Sequence, residues 1–374
     1  MEQFRLKTTI QSYASCSEFC EAYLVDKGDL ILSFSHIIDH YLVGKTGNAA
    51  IIDMGKYGYG EPNDGMVEGI YQDIKDISYN RVIAIGGGSI LDVAKLLILK
   101  YISPVQELFE RKIPIEKEKQ LILIPTTCGT GSEVTNISIL ELLQKKTKLG
   151  LATDELFADY AVLIPELLET LPFGAFGASS IDAFIHGIES YLSPKANSFT
   201  EMYSLQAMEL IIKGYQAIAT KGKECRQEYM KDFLIASTYA GIAFGNAGCA
   251  AVHALSYPLG SVFHIAHGES NYALFLGVFT HYMKLKPMGK ITKLNTFLAA
   301  TLSCKEEEVY TKLELLFNTI LQRKPLKEYG VSEPQLEEFT NSVLANQGRL
   351  MANNYVELKR EDVLAIYQSV YSNS

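Results

Sequence analysis

The sequence predicts an α/β domain followed by an all-α domain. Short apolar runs of strand type alternate with helical patterns through roughly the first 170 residues, and this strand signal fades after Pro165. Two glycine-rich loops directly follow two of the strand-like runs. A chain of 374 residues is long enough for two domains. We therefore predict an α/β domain over residues 1–172 and a helical domain over residues 173–374.

The predicted strands of the first domain are apolar on both faces, as expected for a parallel sheet that is covered by helices on each side. They are Leu30–Leu32, Ala49–Ile52, Arg81–Ile85, Leu121–Ile124 and Ala161–Ile164. Helical patterns separate them, for example over residues 65–77 and 89–100. This alternation is typical of βαβ units.

Helical spacing dominates the second half of the chain. We predict helices near residues 178–192, 199–219, 226–244, 289–302, 305–322, 333–348 and 360–372. No linker rich in Ser, Pro or Gly separates the two halves, and no repeat of fixed period is present.

Composition excludes several classes of protein. Hydrophobic residues make up 48% of the chain and charged residues 21%, which excludes disordered and fibrous proteins. The net charge is −9 and no basic cluster is present, so we expect no nucleic-acid partner. The six cysteines form no CxxC pair, and the N-terminus has no apolar secretory segment. We expect a cytoplasmic protein.

The first glycine-rich loop follows the strand RVIAI. Gly86, Gly87 and Gly88 allow a close approach to backbone amides, and the next helix offers its free N–H groups to an anion. Ser89 and Asp92 form an S-x-x-D pattern, which predicts a capping box at the start of that helix. A lone run of this kind is equally compatible with a tight turn that binds no ligand.

A second loop follows the next strand, and it favours the ligand-binding interpretation. Hydroxyl residues alternate with glycines over residues 125–135, at the carboxyl end of a strand, where open α/β sheets bind ligands. Two such loops on one sheet edge could hold a dinucleotide. We interpret Cys128 as a small buried residue rather than a nucleophile.

Histidines occur where other charge is absent. Residues 233–268 contain no Asp, Glu, Lys or Arg, a length that could span a bilayer, but three histidines and five glycines favour the buried centre of a folded domain. Within it lie His253 and His267. On the helix predicted near residues 178–192, Asp182 and His186 share one face, and by themselves these two could form a simple hydrogen-bonded pair. One carboxylate with three imidazoles suits Fe(II) or Zn(II).

These motifs resemble the iron-containing, or group III, alcohol dehydrogenase family, whose fold is shared with glycerol dehydrogenase and dehydroquinate synthase. The resemblance covers nearly the whole chain and is carried by GGGSILDVAK, PTTCGTGSEVT, DAFIHGIESYLSP and HALSYPLGSVFHIAHGESN. Further segments, among them KYGYGEPND and RKPLKEYG, resemble the 4-hydroxybutyrate dehydrogenase subgroup of that family.

The resemblance implies a dinucleotide-binding first domain and a metal-dependent hydride transfer between NAD(P) and a small primary alcohol or aldehyde, with 4-hydroxybutyrate and succinate semialdehyde as the substrate pair. It implies that a divalent metal, Fe(II) or Zn(II), is held by Asp182, His186, His253 and His267. It implies a dinucleotide site formed by Gly86, Gly87, Gly88, Ser89, Thr126, Thr127, Thr130, Thr135 and Lys148.

Two departures from the family pattern affect the chemistry. Many members carry a second histidine where this chain has Tyr257, so the candidate catalytic residues are His267 and Tyr257. A phenol with a pKa of about 10 is a poor acid near neutrality, and Tyr257 could equally form an aromatic pocket wall. Many relatives also carry an Asp where the strand here ends in Ser33-Phe34-Ser35, so NADP stays possible beside the preferred NAD.

We expect a homodimer with a small alcohol or aldehyde as substrate and with no membrane partner. The alternatives are another alcohol dehydrogenase of the butanol or propanediol type, a lyase like dehydroquinate synthase, or a metallohydrolase whose glycine loops are structural. Four cations, Lys148, Arg226, Arg323 and Arg349, are candidates to bind a substrate carboxylate.

Overall fold

The protein was analysed as a computed structural model, which describes residues 3–145 and 147–372. The chain forms two compact units. One unit is Leu6–Leu171, and the other combines Met1–Arg5 with Pro172–Ser374. Residues 3–5 therefore belong with the helical unit.

The α/β unit contains eight strands and five α-helices among the described residues. The strands are β1 (Thr9–Ser12), β2 (Asp29–Ser33), β3 (Ala50–Asp53), β4 (Arg81–Gly86), β5 (Gln120–Pro125), β6 (Ile137–Leu142), β7 (Thr147–Ala152) and β8 (Tyr160–Leu163). The helices are α1 (Cys16–Ala22), α2 (Ser35–Ile37), α3 (Asp64–Ile74), α4 (Gly88–Leu97) and α5 (Val105–Phe109).

Six strands form one parallel sheet in the order β1-β8-β5-β4-β2-β3, and β6 pairs with β7 as an antiparallel hairpin. All five predicted strands are confirmed. Their central members are buried along nearly their whole length, because apolar side chains are covered on both faces. The prediction missed β1 and the hairpin, whose strands are short or partly exposed and lack a continuous apolar run.

The helical unit contains ten α-helices among the described residues. They are α6 (Phe173–Leu192), α7 (Ser198–Lys221), α8 (Met230–Ala247), α9 (Ala251–Phe263), α10 (His267–Leu285), α11 (Lys290–Leu302), α12 (Val309–Asn318), α13 (Glu333–Asn346), α14 (Gly348–Met351) and α15 (Arg360–Ser369). Each predicted helix is present. The predicted fold class is confirmed.

Helix α6 is the centre of the helical unit. It packs against α7, α8 and α10, and α9 packs against α10, α13 and α14. From Phe176 onward nearly every residue of α6 is buried, which explains why its sequence is apolar all round. Helices α9 and α10 were not predicted as separate helices. Helix α9 lies within the charge-free stretch, which shows no amphipathic pattern, and α10 begins at the end of that stretch.

Among the described residues, no single helix is long and apolar enough to cross a membrane. One pair of helical segments, Lys223–Ala247 and Ala251–Phe263, passes a test of length and composition together but is bent by 107°.

Candidate metal centre and dinucleotide-binding loops

The predicted metal ligands converge inside the helical unit. Asp182 and His186 lie one turn apart on α6, His253 lies on α9, and His267 is the first residue of α10. Nε2 of His253 is 3.6 Å and Nε2 of His267 is 3.8 Å from Oδ1 of Asp182, and Nδ1 of His186 is 3.9 Å from its Oδ2. The sequence brings all four side chains to one place.

A glycine makes this convergence possible. A Cβ atom added to Gly268 would lie 1.9 Å from the carbonyl oxygen of Ala178, so no other residue fits between α10 and α6 at this point. The close approach of the two helices places His267 beside Asp182. The need for Gly268 was not evident from the sequence.

The side chains fit a divalent metal. Nε2 of His253 is buried and has no hydrogen-bond partner, and an unpaired buried polar atom is costly unless something binds it. The ligand atoms of Asp182, His253 and His267 all lie within 4.8 Å of one another. A carboxylate with neutral imidazoles is a donor set that Fe(II) and Zn(II) accept.

A second group of donors shares two of these histidines. His186, His253 and Cys249 each offer a ligand atom within 4.8 Å of the others. Burial raises the pKa of the Cys249 thiol, although His253 lowers it in part. The sequence analysis did not single out Cys249, which lies one helical turn before His253.

The electrostatics of the cluster favour positive charge. Burial alone would raise the pKa of Asp182, but His186, His267 and His253 together lower it, so its carboxyl group stays ionised. Burial alone would lower the pKa of His253, but Cys249, Asp182 and Glu189 raise it well above its usual range. A buried position that stabilises a cation suits a metal ion.

A buried carboxylate behind the cluster fixes His253. Oε2 of Glu189 accepts a hydrogen bond from the backbone N–H of Ala250 at 2.9 Å and contacts Nδ1 of His253 at 2.7 Å, while its Oε1 accepts from Val252 N at 2.6 Å. Glu189 thus caps the N-terminus of α9 and leaves Nε2 of His253 facing Asp182. Sequence reasoning missed Glu189, although it is seven residues after Asp182 and on the same helical face.

Asn271 orients the carboxylate. Its Nδ2 donates a 2.7 Å hydrogen bond to Oδ1 of Asp182 and lies 3.2 Å from Nε2 of His267. Its own Oδ1 accepts from the hydroxyl of Ser256, which lies one turn after His253. Asn271 follows His267 by four residues, so the two lie on the same face of α10. This spacing was the only indication of Asn271 that the sequence offered.

Tyr257 lies beside the cluster. Its ring centroid is 5.9 Å from that of His267. Burial raises the pKa of Tyr257, with His253 and Arg349 acting in the opposite direction. The phenol is therefore neutral near pH 7. His264 is exposed at the end of α9.

The two glycine loops meet at one edge of the α/β unit. Gly86 at the end of β4 pairs with Pro125 at the end of β5, and Thr126 N donates to Gly86 O at 3.0 Å. A Cβ added to Gly88 would lie 2.8 Å from the methyl group of Thr130, and one added to Gly87 would lie 3.4 Å from that of Thr127. Both loops thus line the same edge, as predicted.

The predicted capping box at the start of α4 is wrong. Gly87 is the N-cap residue, and the hydroxyl of Ser89 donates to the carbonyl of Gly60 at 3.0 Å. The carboxylate of Asp92 instead accepts bonds from the Ser132 hydroxyl at 2.5 Å and from the backbone N–H of Ile139 at 3.0 Å. The Ser89 hydroxyl and the Asp92 carboxylate therefore bind residues far away in the sequence and do not cap the helix as the local pattern predicted.

A fully buried lysine ties the second loop to α4. Nζ of Lys95 donates to the hydroxyls of Ser132 at 2.7 Å and Thr135 at 3.3 Å and to the carbonyl of Ile137 at 2.6 Å, and it lies 3.2 Å from Asp92. Burial lowers the pKa of Lys95, and Asp92 opposes this shift. The hydroxyl of Thr135 therefore binds Lys95 inside the α/β unit.

Lys148 also has a partner within this unit. It lies on β7, and its Nζ is 3.2 Å from Oε1 of Glu61. Glu61 follows Gly60, whose carbonyl accepts the Ser89 hydroxyl. The structure therefore brings Lys148 to the loop beside the first glycine motif.

Comparison with known proteins identifies the family to which this combination of an α/β unit, a helical unit and a candidate metal centre belongs. Residues 48–165 match the iron-containing alcohol dehydrogenase family, and residues 176–371 match the C-terminal part of the Fe-containing alcohol dehydrogenase family. The chain belongs to the iron-containing alcohol dehydrogenase family.

Individual relatives agree with this. The chain is 48% identical to a 4-hydroxybutyrate dehydrogenase of Clostridium kluyveri, over 99% of this chain and 100% of that protein. It is 36% identical to long-chain-alcohol dehydrogenase 1 of Geobacillus thermodenitrificans, over 80% of this chain and 77% of that protein. The fold also resembles a sulfoacetaldehyde reductase of Bifidobacterium kashiwanohense crystallised with NAD+, with a TM-score of 0.86, 21% identity and complete coverage of both chains.

Proposed function

We propose that this protein transfers hydride between NAD and the substrate pair 4-hydroxybutyrate and succinate semialdehyde. The observation that carries the proposal is the convergence of Asp182, His186, His253 and His267, of which the first three are buried, beside an unpaired nitrogen of His253. The substrate is supported by 48% identity over the full length of a 4-hydroxybutyrate dehydrogenase.

The four side chains would hold the divalent metal in this proposal. A metal bound there supplies Lewis-acid polarisation of the substrate oxygen, and NAD supplies the hydride acceptor. Glu189 keeps His253 oriented with Nε2 towards Asp182, and Asn271 keeps the carboxylate of Asp182 in place. Asp182, His186 and His253 are buried among apolar side chains, which limits the access of competing water to them.

The glycine loops would bind the pyrophosphate in this proposal. The N-terminus of α4 at Gly88 presents backbone N–H groups at the carboxyl end of β4, which suits an anionic phosphate. Gly87, Gly88, Thr127 and Thr130 lie close together there, and Ser89 and Lys148 flank them. The hydroxyl of Thr135 accepts a hydrogen bond from Lys95 and so supports the loop. In this proposal Thr135 does not contact the dinucleotide directly.

The preference for NAD has a structural argument. Ser33 at the end of β2 pairs with Asp53 at the end of β3, and Oδ1 of Asp53 accepts bonds from the backbone N–H of Ser35 at 3.0 Å and Gly55 at 2.9 Å. A carboxylate is therefore fixed beside the segment that leaves β2. Its negative charge disfavours a 2′-phosphate, which supports NAD over NADP.

Compartment and assembly are part of the proposal. None of the six cysteines, all of which lie in the described residues, forms a disulfide bond, which agrees with a reducing cytoplasm. The homodimer expected from the sequence is tested by light scattering after size-exclusion chromatography, with a mass near twice that of the 41.5 kDa chain as the expected result.

The decisive assay follows NADH formation by iron-loaded enzyme with 4-hydroxybutyrate and NAD. We expect turnover with 4-hydroxybutyrate and much less with butan-1-ol, and loss of both after chelation. Turnover of butan-1-ol without turnover of 4-hydroxybutyrate would reject the substrate. The absence of NADH with every alcohol tested would favour a lyase or a hydrolase instead.

A further inference from the structure

The proposed substrate carries a carboxylate at the end opposite to its reacting carbon, and the protein needs a cation to bind it. Bidentate pairing by an arginine is the strongest such contact. A binding cation must lie near the metal cluster, because an extended four-carbon chain separates hydroxyl and carboxylate oxygens by only about 6 Å. It must also be available, without a partner carboxylate of its own.

Three of the four cations considered from the sequence do not meet these conditions. Lys148 belongs to the α/β unit and pairs with Glu61. Arg323 donates to Glu314 through Nε at 2.8 Å and Nη2 at 2.6 Å. The guanidinium of Arg226 lies 5.6 Å from the ring centres of both Phe173 and Phe176, near the start of α6, more than one turn from Asp182.

Arg349 is the candidate that remains. It lies on α14, which packs against α9, the helix that carries His253 and Tyr257. Its side chain is exposed, and no carboxylate in residues 3–145 and 147–372 forms an ion pair with it. An exposed, uncommitted guanidinium beside a metal-bearing helix is available to an anionic ligand.

The segment that carries Arg349 is held firmly against α9. Nδ2 of Asn353 donates to the carbonyls of Ala247 at 2.9 Å and Cys249 at 3.1 Å, and its Oδ1 accepts from Ser193 at 3.0 Å. These contacts join the segment to the end of α8, to the residues between α8 and α9, and to the end of α6. Arg349 is thus presented by an anchored backbone, with only its side chain free.

Tyr257 connects Arg349 to the metal cluster. Its ring lies 5.9 Å from that of His267, and it is carried by α9, the helix against which α14 and Arg349 pack. A ligand with one oxygen at the cluster and a carboxylate at Arg349 would therefore pass along Tyr257. This arrangement suits an ω-hydroxy acid or its semialdehyde better than an uncharged alcohol.

We propose that Arg349 binds the carboxylate of the substrate and so selects short ω-hydroxy acids and their semialdehydes over uncharged alcohols and aldehydes. This inference rests on the proposed function, since it assigns the specificity of the same site. Arg349 is a binding residue in this account and takes no part in hydride or proton transfer.

The test compares two aldehydes of equal chain length, succinate semialdehyde and butanal, with NADH and the metal-loaded enzyme. In Arg349→Met we expect the ratio of their kcat/KM values to fall by about 10- to 100-fold, chiefly through KM for the semialdehyde, because a charge-assisted hydrogen bond is lost. Arg349→Lys keeps the charge without the bidentate geometry, so a smaller fall is expected. The control is Arg360→Met, since Arg360 is exposed on α15 and pairs with Glu337.

The outcomes separate the inference from the proposed function. An unchanged ratio in Arg349→Met, or an equal loss with both aldehydes, overturns the role of Arg349 alone. A wild-type enzyme that reduces butanal but not succinate semialdehyde overturns the proposed substrate as well. Thermal unfolding shows whether Arg349→Met is folded. If it is not, the ratio of kcat/KM values for the two aldehydes is measured in Arg349→Lys, and a ratio equal to that of the wild type rejects the proposal.

Discussion

The metal cluster and the glycine loops achieve their geometry in different ways. The ligands of the cluster come from three helices, α6, α9 and α10, and Glu189 and Asn271 fix His253 and Asp182. The loops lie at the end of a parallel sheet and are formed by backbone, with Lys95 holding the second loop from behind. A metal site thus depends on a few side chains, whereas a phosphate site depends on the course of the chain.

The largest effect is expected when a metal-binding side chain of the cluster is removed. We expect His267→Ala to lose metal and to lower kcat/KM by about 10³-fold or more, because the metal contributes several kcal/mol to transition-state stabilisation. Metal content by mass spectrometry and steady-state kinetics measure both. Full metal occupancy in the variant would remove His267 from the ligand set. The control is His281→Ala, since His281 lies elsewhere on α10 and contacts Asp362.

The loop scaffold is tested by Lys95→Met. The substitution leaves the largely buried Asp92 without its cation, so we expect the free energy of unfolding to fall by about 3–5 kcal/mol. Urea denaturation measures this loss. Lys213→Met is the matched control, because its ion pair with Glu209 is exposed and contributes about 0.5 kcal/mol or less. Equal stability of the two variants would show that Lys95 does not hold the loop.

The support behind the cluster is tested by Glu189→Gln. We expect metal affinity to fall by about 10- to 100-fold while the protein stays folded, because an amide still accepts a backbone bond but no longer stabilises the imidazole of His253 as a carboxylate does. Competitive titration with a chromogenic chelator measures the affinity. Unaltered affinity would limit Glu189 to capping α9, and Glu209→Gln serves as the surface control.

The smallest effect is expected for Tyr257→Phe. Burial raises the pKa of Tyr257 above the usual tyrosine value of about 10. Its phenol therefore stays protonated near neutral pH and cannot act as a base there. We expect the pH dependence of kcat between pH 6 and 9 to keep its shape, with a change in rate of about threefold or less. Loss of one limb of the profile in the variant would place Tyr257 in the proton path.

The sequence was informative where chemistry needs rare residue types. His253 and His267 stand out in a stretch without other charge, and Gly86 to Gly88 stand out after an apolar strand, so both sites could be predicted. Strands that are continuously apolar could be predicted for the same reason. The hairpin of β6 and β7 could not, because its strands are partly exposed and carry no long apolar run.

The supporting contacts could not be predicted, because they join residues far apart in the sequence. Glu189 meets Ala250, Val252 and His253 more than sixty residues later. The S-x-x-D pattern at Ser89 is a local signal that tertiary contacts overrode, since Asp92 is held by Ser132 and Lys95. Gly268 was indistinguishable from other glycines until α6 and α10 were seen to touch.

The account depends most on one ion held by four side chains, and anomalous diffraction from crystals of the iron-loaded enzyme measures this directly. Data collected above and below the iron absorption edge should show one peak bonded to Asp182, His186, His253 and His267, with metal–ligand distances of about 2.0–2.3 Å. An iron peak away from these side chains, or none in crystals of enzyme that turns over, would contradict the account.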